Sequence, residues 1–182
     1  LDKDTSGILV TAKSSLFAAK WTKLIASKEV KKEYEAFCIG RLQENQGWIT
    51  ETIEQKGAVK DARTQFRVKE LYEQADIMML ENSDSNSQQK IFFSLIALKL
   101  ETGRMHQIRI HLAKQQCPIA ADDKYGNFKL NKELKKSLGI SKLMLHAKKI
   151  DIPLGGGIKT IEIDYPPHMK DFTFSGKLIK VS

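Results

Sequence analysis

Two short stretches of this chain contain the side chains best suited to chemistry. The first opens the sequence, where Asp2 and Asp4 precede a Thr-Ser-Gly turn at residues 5–7 and an apolar run at residues 8–10. A carboxylate on a loop that leads directly into a buried strand is held in a fixed position. Such a group can act as a nucleophile or as a general base. The same residue types also form ordinary turns, so this stretch gains meaning from the second one.

The second stretch, residues 101–113, combines basic and amide side chains. Its basic and amide residues are Arg104, His106, Gln107, Arg109 and His111. Two arginines near the start of a helix can bind phosphates, or one of them can pair with a buried carboxylate. The two histidines miss, by one position, the spacing of the two histidines in helical zinc sites. We therefore predict no metal site here.

Composition favours a polyanionic partner. The 182 residues include 30 lysines and arginines against 22 acidic residues, which gives a formal net charge of +8. That surplus indicates nucleic acid first and an acidic membrane surface second. Apolar content is 41%, as in ordinary globular proteins, and no apolar run approaches the length of a membrane span. Cys38 and Cys117 stand in apolar surroundings, so we predict reduced core thiols and a cytoplasmic location.

Hydrophobic periodicity predicts an α+β fold. The predicted strands lie at about residues 8–11, 32–40, 48–53, 62–72, 91–100, 143–152 and 159–163. The predicted helices lie at about 16–28, 103–115 and 131–137, with a short one after Pro166. An apolar run at 77–80 followed by the polar residues 81–90 predicts a long hairpin loop. Because the strands follow one another through hairpins, we expect a mixed, mostly antiparallel central sheet with flanking helices.

Five segments resemble, in order, the motifs of one family. Residues 1–9 resemble the Leu-Asp-x-x-Thr-Ser-Gly-Leu-Leu motif of the RluA-type RNA pseudouridine synthases, and residues 32–40 resemble their Lys-x-Tyr-x-Ala-x-x-x-Gly segment. Residues 102–111 match Thr-Gly-Arg-x-His-Gln-Ile-Arg-x-His. Residues 118–126 match the Pro-Ile-x-x-Asp-x-x-Tyr-Gly that follows, and residues 145–147 match a late Leu-His-Ala. The strongest resemblance is to members that modify bacterial large-subunit ribosomal RNA.

The resemblance implies an enzyme that isomerises uridine to pseudouridine in RNA, with large-subunit ribosomal RNA as the expected substrate. It places the catalytic aspartate at Asp2, the active-site tyrosine at Tyr34 and the basic partner of the aspartate at Arg109. The reaction breaks the N-glycosidic bond, turns the uracil over and rejoins it through C5, so it requires no nucleotide cofactor and no metal. The aspartate attacks C1′ or acts as a base on the sugar, and the sequence leaves both routes open.

The same resemblance implies substrate- and RNA-binding residues around that site. These residues are Lys3, Arg104, His106, Gln107 and Leu145. The target uridine must leave its stack to enter the pocket, and phosphate contacts along a basic groove offset part of that cost. We expect a monomer whose partner is RNA and which binds no membrane.

We expect residues 1–182 to form a single catalytic domain. In the family, a His-Arg pair comes before the aspartate, and here that pair would precede Leu1. The chain is therefore expected to be a fragment that lacks upstream strands and any N-terminal RNA-binding domain.

Two other interpretations are weighed against this one. The spacing Asp2-x-Asp4-x-Ser6 approximates the signature of magnesium-dependent phosphatases of the haloacid-dehalogenase type. In such an enzyme Asp2 would be phosphorylated and Asp4 would be the general acid, while Asp122 and Asp123 would bind magnesium. That class has a parallel sheet with alternating helices, which the hairpins do not favour. The other alternative is a non-catalytic RNA-binding module with the same fold and charge.

Overall fold

The computed structural model describes residues 1–55, 57–74 and 91–182. The strands are β1 (Ser6–Gly7), β2 (Lys31–Ile39), β3 (Gln46–Gln55), β4 (Ala58–Gln74), β5 (Phe92–Leu100), β6 (Leu145–Leu154), β7 (Gly157–Glu162) and β8 (Leu178–Lys180). The helices are α1 (Ser15–Ala26), α2 (Gln107–Lys114) and α3 (Phe128–Ser137), with a short 3-10 helix at Pro167–Met169. The apolar run predicted at 77–80 and the hairpin loop predicted at 81–90 lie outside the described residues.

The described strands form one mixed, mostly antiparallel sheet, as predicted. Their order is β1-β6-β2-β5-β4-β3, with β7 also paired to β6 and β8 paired to β4. Within this sheet β1 runs parallel to β6, and the other pairs are antiparallel. A hairpin turn joins β6 to β7, and Gly155 and Gly156 adopt positive φ angles in it.

The two faces of the sheet are covered by different elements. Successive residues of β2 point to opposite faces, so Phe37 and Tyr34 lie on opposite sides. Phe37 stacks on Phe93 and on Phe172 of the C-terminal segment, with ring centroids 5.5 and 5.2 Å apart. Helix α2 packs over β3 and β4 and buries Leu112 completely. The C-terminal segment thus covers the Phe37 face and leaves the opposite face to the other elements.

The strand predicted at residues 8–11 is wrong in position. Strand β1 consists of Ser6 and Gly7, and the chain leaves the sheet after Ile8, whose N–H donates to the carbonyl of Ala147 at 3.0 Å. Leu9 is consequently 66% exposed. An apolar run indicates a strand, but its pairing depends on a partner far away in the sequence, which local periodicity does not reveal.

The second helix begins later than predicted. Periodicity predicts helix from Gly103, but α2 starts at Gln107, and His106 precedes it with a φ of 56°. The side-chain carbonyl of Gln107 accepts hydrogen bonds from the Arg104 N–H at 3.0 Å and the Thr102 hydroxyl at 2.8 Å. These bonds fold residues 102–106 into a loop, so Arg104 and His106 do not lie on a helix.

Helix α1 forms where it is predicted, but it buries none of its residues. The Ser14 hydroxyl caps it by accepting a hydrogen bond from the N–H of Phe17. Leu16 and Phe17 are nevertheless largely exposed. Amphipathic spacing predicts a helix correctly without specifying what packs against it. None of the helices described for this chain is long and apolar enough to cross a membrane.

Candidate active site

The loop that carries Asp2 is tied to the sheet by its Thr-Ser-Gly turn. The carbonyl of Asp2 accepts a hydrogen bond from the Thr5 N–H at 3.1 Å, which closes the turn. The Ser6 hydroxyl donates to the carbonyl of Leu145 at 3.1 Å and lies 2.9 Å from Nδ1 of His146. Both contacts reach the start of β6, so this loop is anchored on a buried strand of the sheet.

Strand β6 brings Tyr34 to the level of the Asp2 loop. Ala147 of β6 pairs with Gly7 of β1 on one side and with Tyr34 of β2 on the other. Gly7 has a φ of +115°, and a Cβ atom there would lie 2.4 Å from the carbonyl oxygen of Ala147. A residue with a side chain would therefore push β1, and Asp2 with it, away from the sheet.

Tyr34 lies close enough to Asp2 for the carboxylate charge to affect the pKa of its phenol. Burial raises the pKa of the Tyr34 phenol above its ordinary value, and the negative charge of Asp2 raises it further. The phenol is therefore protonated at neutral pH, so it can donate a hydrogen bond but is a poor base.

Arg109 extends from α2 and is held mainly by Asp122. Its Nε and Nη2 donate to the two carboxylate oxygens of Asp122 at 2.8 and 2.7 Å, and Nη2 also donates to Asp123 at 3.0 Å. The remaining nitrogen, Nη1, lies 3.8 Å from Oδ2 of Asp2. The hydrogen bonds from Arg109 to Asp122 raise its pKa, burial opposes them, and the charges of Asp122, Asp2 and Asp123 add to the increase. The guanidinium therefore stays charged at any physiological pH.

His106 faces the other oxygen of the Asp2 carboxylate. Its Nε2 lies 3.9 Å from Oδ1 of Asp2, and its Nδ1 lies 2.9 Å from the hydroxyl of Tyr125. The Tyr125 ring in turn lies 5.3 Å from the guanidinium carbon of Arg109, within the range of a cation–π contact. His106 has a left-handed backbone conformation, which is uncommon for a residue with a Cβ atom and often occurs at functional sites.

The Asp2 carboxylate lies near Arg109 and His106 but accepts no hydrogen bond from either of them. Its distances to Arg109 and His106, 3.8 and 3.9 Å, both exceed hydrogen-bond length. The oxygens thus have a cationic neighbour, yet they are free to contact a substrate atom. This combination suits a nucleophile or a base.

A cavity of about 230 Å³ opens beside Tyr34, and Leu1 and Ile8 line it from the Asp2 side. A larger groove of about 540 Å³, lined in part by Trp48 and Lys99, includes none of the side chains that surround Asp2. The smaller cavity is lined by Tyr34 but, like the larger groove, not by Asp2, Arg109 or His106.

The structure brings together the three side chains predicted to be catalytic, Asp2, Tyr34 and Arg109, and it places His106 with them. The aspartate and the arginine come from positions more than a hundred residues apart in the chain. Their spatial relation matches the expectation from the resemblance, while their roles in catalysis stay a prediction.

The other predicted binding residues lie at different depths. Lys3 is exposed, and Arg104 is half-buried, with its Nε donating to the carbonyl of Asp61 at 3.1 Å. Gln107 and Leu145 are both buried. The positions of Gln107 and Leu145 support the loops that carry Arg104 and Asp2. For all four residues, contact with RNA stays a prediction.

The sequence reasoning missed the partners that Arg109 and His106 have in the structure. It paired Arg109 with Asp2, assigned Asp122 to the phosphatase alternative and gave Tyr125 no role. The signal was available, because both missed residues lie in the matched segment 118–126. A buried guanidinium also needs a buried carboxylate nearby, and Asp122 is an acidic residue next to an apolar run.

The phosphatase alternative is not supported. The sheet is mostly antiparallel, whereas that class has a parallel one. Asp122, one of its expected magnesium ligands, is bound by both nitrogens on one edge of Arg109. In the described part of the chain, no group of three histidine, cysteine, aspartate or glutamate side chains is arranged to hold a metal ion.

Comparison with known proteins agrees with this fold and site. The family model described as RNA pseudouridylate synthase matches residues 1–114. An uncharacterized RNA pseudouridine synthase of Bacillus subtilis, YhcT, is 33% identical over 94% of this chain and 53% of its own length. The ribosomal large subunit pseudouridine synthase C of Buchnera aphidicola is 30% identical over 83% of this chain and 46% of its own length. The tRNA pseudouridine synthase C of Yersinia pestis is 31% identical over 88% of this chain and 65% of its own length.

A solved structure shows the same fold. Human RNA pseudouridylate synthase domain containing 1 superposes with a TM-score of 0.71 at 24% sequence identity, covering 99% of this chain and 71% of that one. The fold and the site thus define a class of protein: an α+β domain in which an aspartate and an arginine lie close together beside a tyrosine. The chain belongs to the RNA pseudouridylate synthase family, which confirms the resemblance. It spans about half the length of the first two relatives described above.

Proposed function

We propose that this protein isomerises uridine to pseudouridine in RNA. The observation that carries the proposal is the Asp2 carboxylate, which faces the anchored guanidinium of Arg109 at 3.8 Å on the Tyr34 side of the sheet. A charged carboxylate with free oxygens can attack C1′ of the ribose, or it can act as a base on the sugar. Family membership supports the same chemistry.

The reaction needs no atom from outside the substrate. The bond between C1′ and N1 breaks, the uracil turns over, and C1′ then bonds to C5. The C5 proton goes to a base and N1 acquires a proton, so the product is an isomer of the substrate. Arg109 provides a positive charge beside the Asp2 carboxylate. Tyr34, whose phenol is protonated, supplies a ring surface for the uracil and a hydrogen-bond donor.

Large-subunit ribosomal RNA is the substrate class that we infer, because a relative described above is named for that RNA. A transfer RNA is the alternative, because another relative is named for that one. The basic surplus supports a polyanionic partner in either case. Helix α3 begins three residues after Tyr125 and contains four lysines against one glutamate. We place the protein, as a monomer, in the cytoplasm, where it meets RNA.

Release of tritium from RNA labelled at uridine C5 tests this proposal. We expect the purified protein to release tritium from ribosomal RNA, and a parallel reaction with transfer RNA tests the alternative substrate. Asp2→Asn should lower the rate by more than about 10³-fold, because it removes the reacting charge. Its RNA affinity should stay within a few-fold of wild type.

Asp4→Asn is the matched control. Asp4 lies two residues after Asp2, its side chain is exposed, and the substitution removes the same negative charge. It should keep activity within a few-fold, whereas the phosphatase alternative requires Asp4. Two results would contradict the proposal: no release from either RNA by a folded protein, or full activity in Asp2→Asn. A protein that binds RNA but releases no tritium would favour the alternative of a non-catalytic RNA-binding module.

A further inference from the structure

We propose that Asp122 is a positioning residue that aims Arg109 at Asp2 and shares the charge of its guanidinium. This inference rests on the proposed function and adds to it a residue that never touches the uridine. Asp122 is 1% exposed and lies behind Arg109 as seen from Asp2, with the guanidinium between the two carboxylates.

Asp122 fixes the orientation of the Arg109 guanidinium. A guanidinium has one edge formed by Nε and Nη2, and both of these nitrogens donate to Asp122, at 2.8 and 2.7 Å. This two-point contact fixes the plane of the group and prevents its rotation. Nη1, on the opposite side, is then held facing Asp2 at 3.8 Å. Without Asp122, Arg109 could move closer to Asp2 and bind it directly.

Asp122 also holds the loop that follows it. Its Oδ1 also accepts hydrogen bonds from the backbone N–H groups of Lys124 and Tyr125, both at 2.9 Å. A Cβ atom at Gly126 would lie 2.4 Å from the carbonyl oxygen of Asp122, so the loop folds tightly over this residue. The same carboxylate therefore positions Tyr125, which contacts both His106 and Arg109.

Asp122 also places a negative charge beside the Arg109 guanidinium. Burial acts to raise the pKa of Asp122, but the hydrogen bonds from Arg109 and from the two backbone N–H groups, with the charge of Arg109, hold it below its ordinary value. Asp122 is thus an anion at every working pH and neutralises much of the Arg109 charge. Asp2 keeps a cationic neighbour without being locked into a tight ion pair, which preserves its reactivity.

Asp123 provides an internal comparison. It receives a hydrogen bond from the same Nη2 nitrogen of Arg109, at 3.0 Å, but its side chain is 79% exposed. Solvent screens such a contact, and exposed ion pairs contribute little. A role that depends on burial and on two-point geometry therefore belongs to Asp122 and not to its neighbour.

Steady-state tritium release by Asp122→Asn and Asp123→Asn, measured against pH, tests the inference. We expect kcat of Asp122→Asn to fall about 10- to 100-fold with little change in KM for RNA, the range found when a supporting hydrogen-bond partner is lost. Asp123→Asn should stay within a few-fold of wild type. Asp2 faces Arg109, His106 and Tyr34, and in Asp122→Asn the Arg109 charge is no longer shared. The acidic limb of kcat should therefore move to lower pH.

Asp122→Glu separates charge from geometry and covers the case in which Asp122→Asn fails to fold. It keeps the charge but displaces the guanidinium by one methylene, so kcat should fall while the acidic limb stays in place. Wild-type kcat in Asp122→Glu, or equal effects of Asp122→Asn and Asp123→Asn, would overturn the inference. So would a lower kcat in Asp122→Asn with an unmoved limb, which a merely structural role predicts. An inactive wild-type protein would instead count against the proposed function.

Discussion

At the scale of single residues, the two carboxylates on either side of Arg109 differ in how closely they contact its guanidinium. Asp122 holds Arg109 through hydrogen bonds of 2.8 and 2.7 Å, whereas Asp2 stays 3.8 Å from the same group. A carboxylate that is fully hydrogen-bonded is a weak nucleophile, because its lone pairs are engaged. Under the proposed function, the looser contact of Asp2 leaves its oxygens able to react, and we propose that the tight contact of Asp122 keeps it loose.

Tyr34 gives a prediction at the same scale. Its phenol stays protonated because burial and then the charge of Asp2 raise its pKa. Tyr34→Phe keeps the ring and loses the proton donor, so kcat should fall about 10²-fold, a typical value for one acid–base group. Tyr34→Ala also removes the stacking surface and should weaken RNA binding in addition. Rapid-quench kinetics with labelled RNA, combined with filter binding, measures both effects.

The pH profile of the wild-type protein checks the same point. Between about pH 7 and 9, below the ordinary pKa of tyrosine, kcat should show no step that belongs to Tyr34. A step in this range that disappears in Tyr34→Phe would show that the phenol acts as a base, contrary to this account.

At the scale of elements, the sequence predicted the long strands and missed the short ones. Strands β2 to β7 alternate or run apolar over six residues or more, so local pattern suffices. Strand β1 has two residues and β8 has three, and each exists because a distant strand supplies its partner. The start of α2 was misplaced for a similar reason. The side chain of Gln107 bonds to the loop at Thr102 and Arg104, which periodicity cannot show.

The sequence motifs predicted which residues form the candidate site, but not how those residues are arranged in space. Asp2, Tyr34 and Arg109 stand in segments whose order and composition resemble the family. Their spacing in the sequence gives no distances, and the pairing of Arg109 with Asp122 follows from how the segment after α2 folds back over the helix.

Gly7 carries a prediction at the scale of elements. Gly7→Ala would place a Cβ atom 2.4 Å from the carbonyl oxygen of Ala147, at a φ of +115°. We expect the pairing of β1 with β6 to open, with a loss of about 1–3 kcal/mol in the free energy of unfolding from the strained backbone. Activity should fall more than this loss of folded protein explains, because Asp2 moves away from Arg109.

Gly157→Ala is the matched control, since a Cβ atom there meets nothing within 4 Å. Chemical denaturation and tritium release on the two variants give stability and activity separately. Equal behaviour of Gly7→Ala and Gly157→Ala would mean that the close contact of β1 with β6 does not position Asp2.

At the scale of the whole molecule, charge is distributed unevenly. On the sheet, lysines are matched with glutamates, as Lys69 is with Glu35 at 2.8 Å and Lys99 with Glu33 at 3.1 Å. Helix α3, which starts close to Tyr125, has four lysines and one glutamate. A net charge of +8, located partly beside the site, favours the approach of a polyanion.

The histidines give a prediction for the stability of the whole molecule. Burial lowers the pKa of His111, His146 and His168, and nearby lysine charges add to the effect in each case. The folded protein therefore holds these rings neutral at a pH where the unfolded chain, with ordinary values near 6.5, binds protons. Stability should be fully present above about pH 7 and should fall as the pH drops below about 6.5.

Thermal unfolding between pH 8 and pH 5 measures this dependence. Each ring that the unfolded chain protonates and the folded protein does not contributes a slope of about 1.4 kcal/mol per pH unit. His111→Leu removes a fully buried ring, so the slope of stability against pH should fall by up to the contribution of one proton. Above about pH 7, the stability curves of the variant and the wild type should run parallel. Lys170→Gln, an exposed substitution that involves no histidine, should leave the slope unchanged. A melting temperature that stays constant from pH 7 to pH 5 would mean that these rings become protonated within the folded protein without cost.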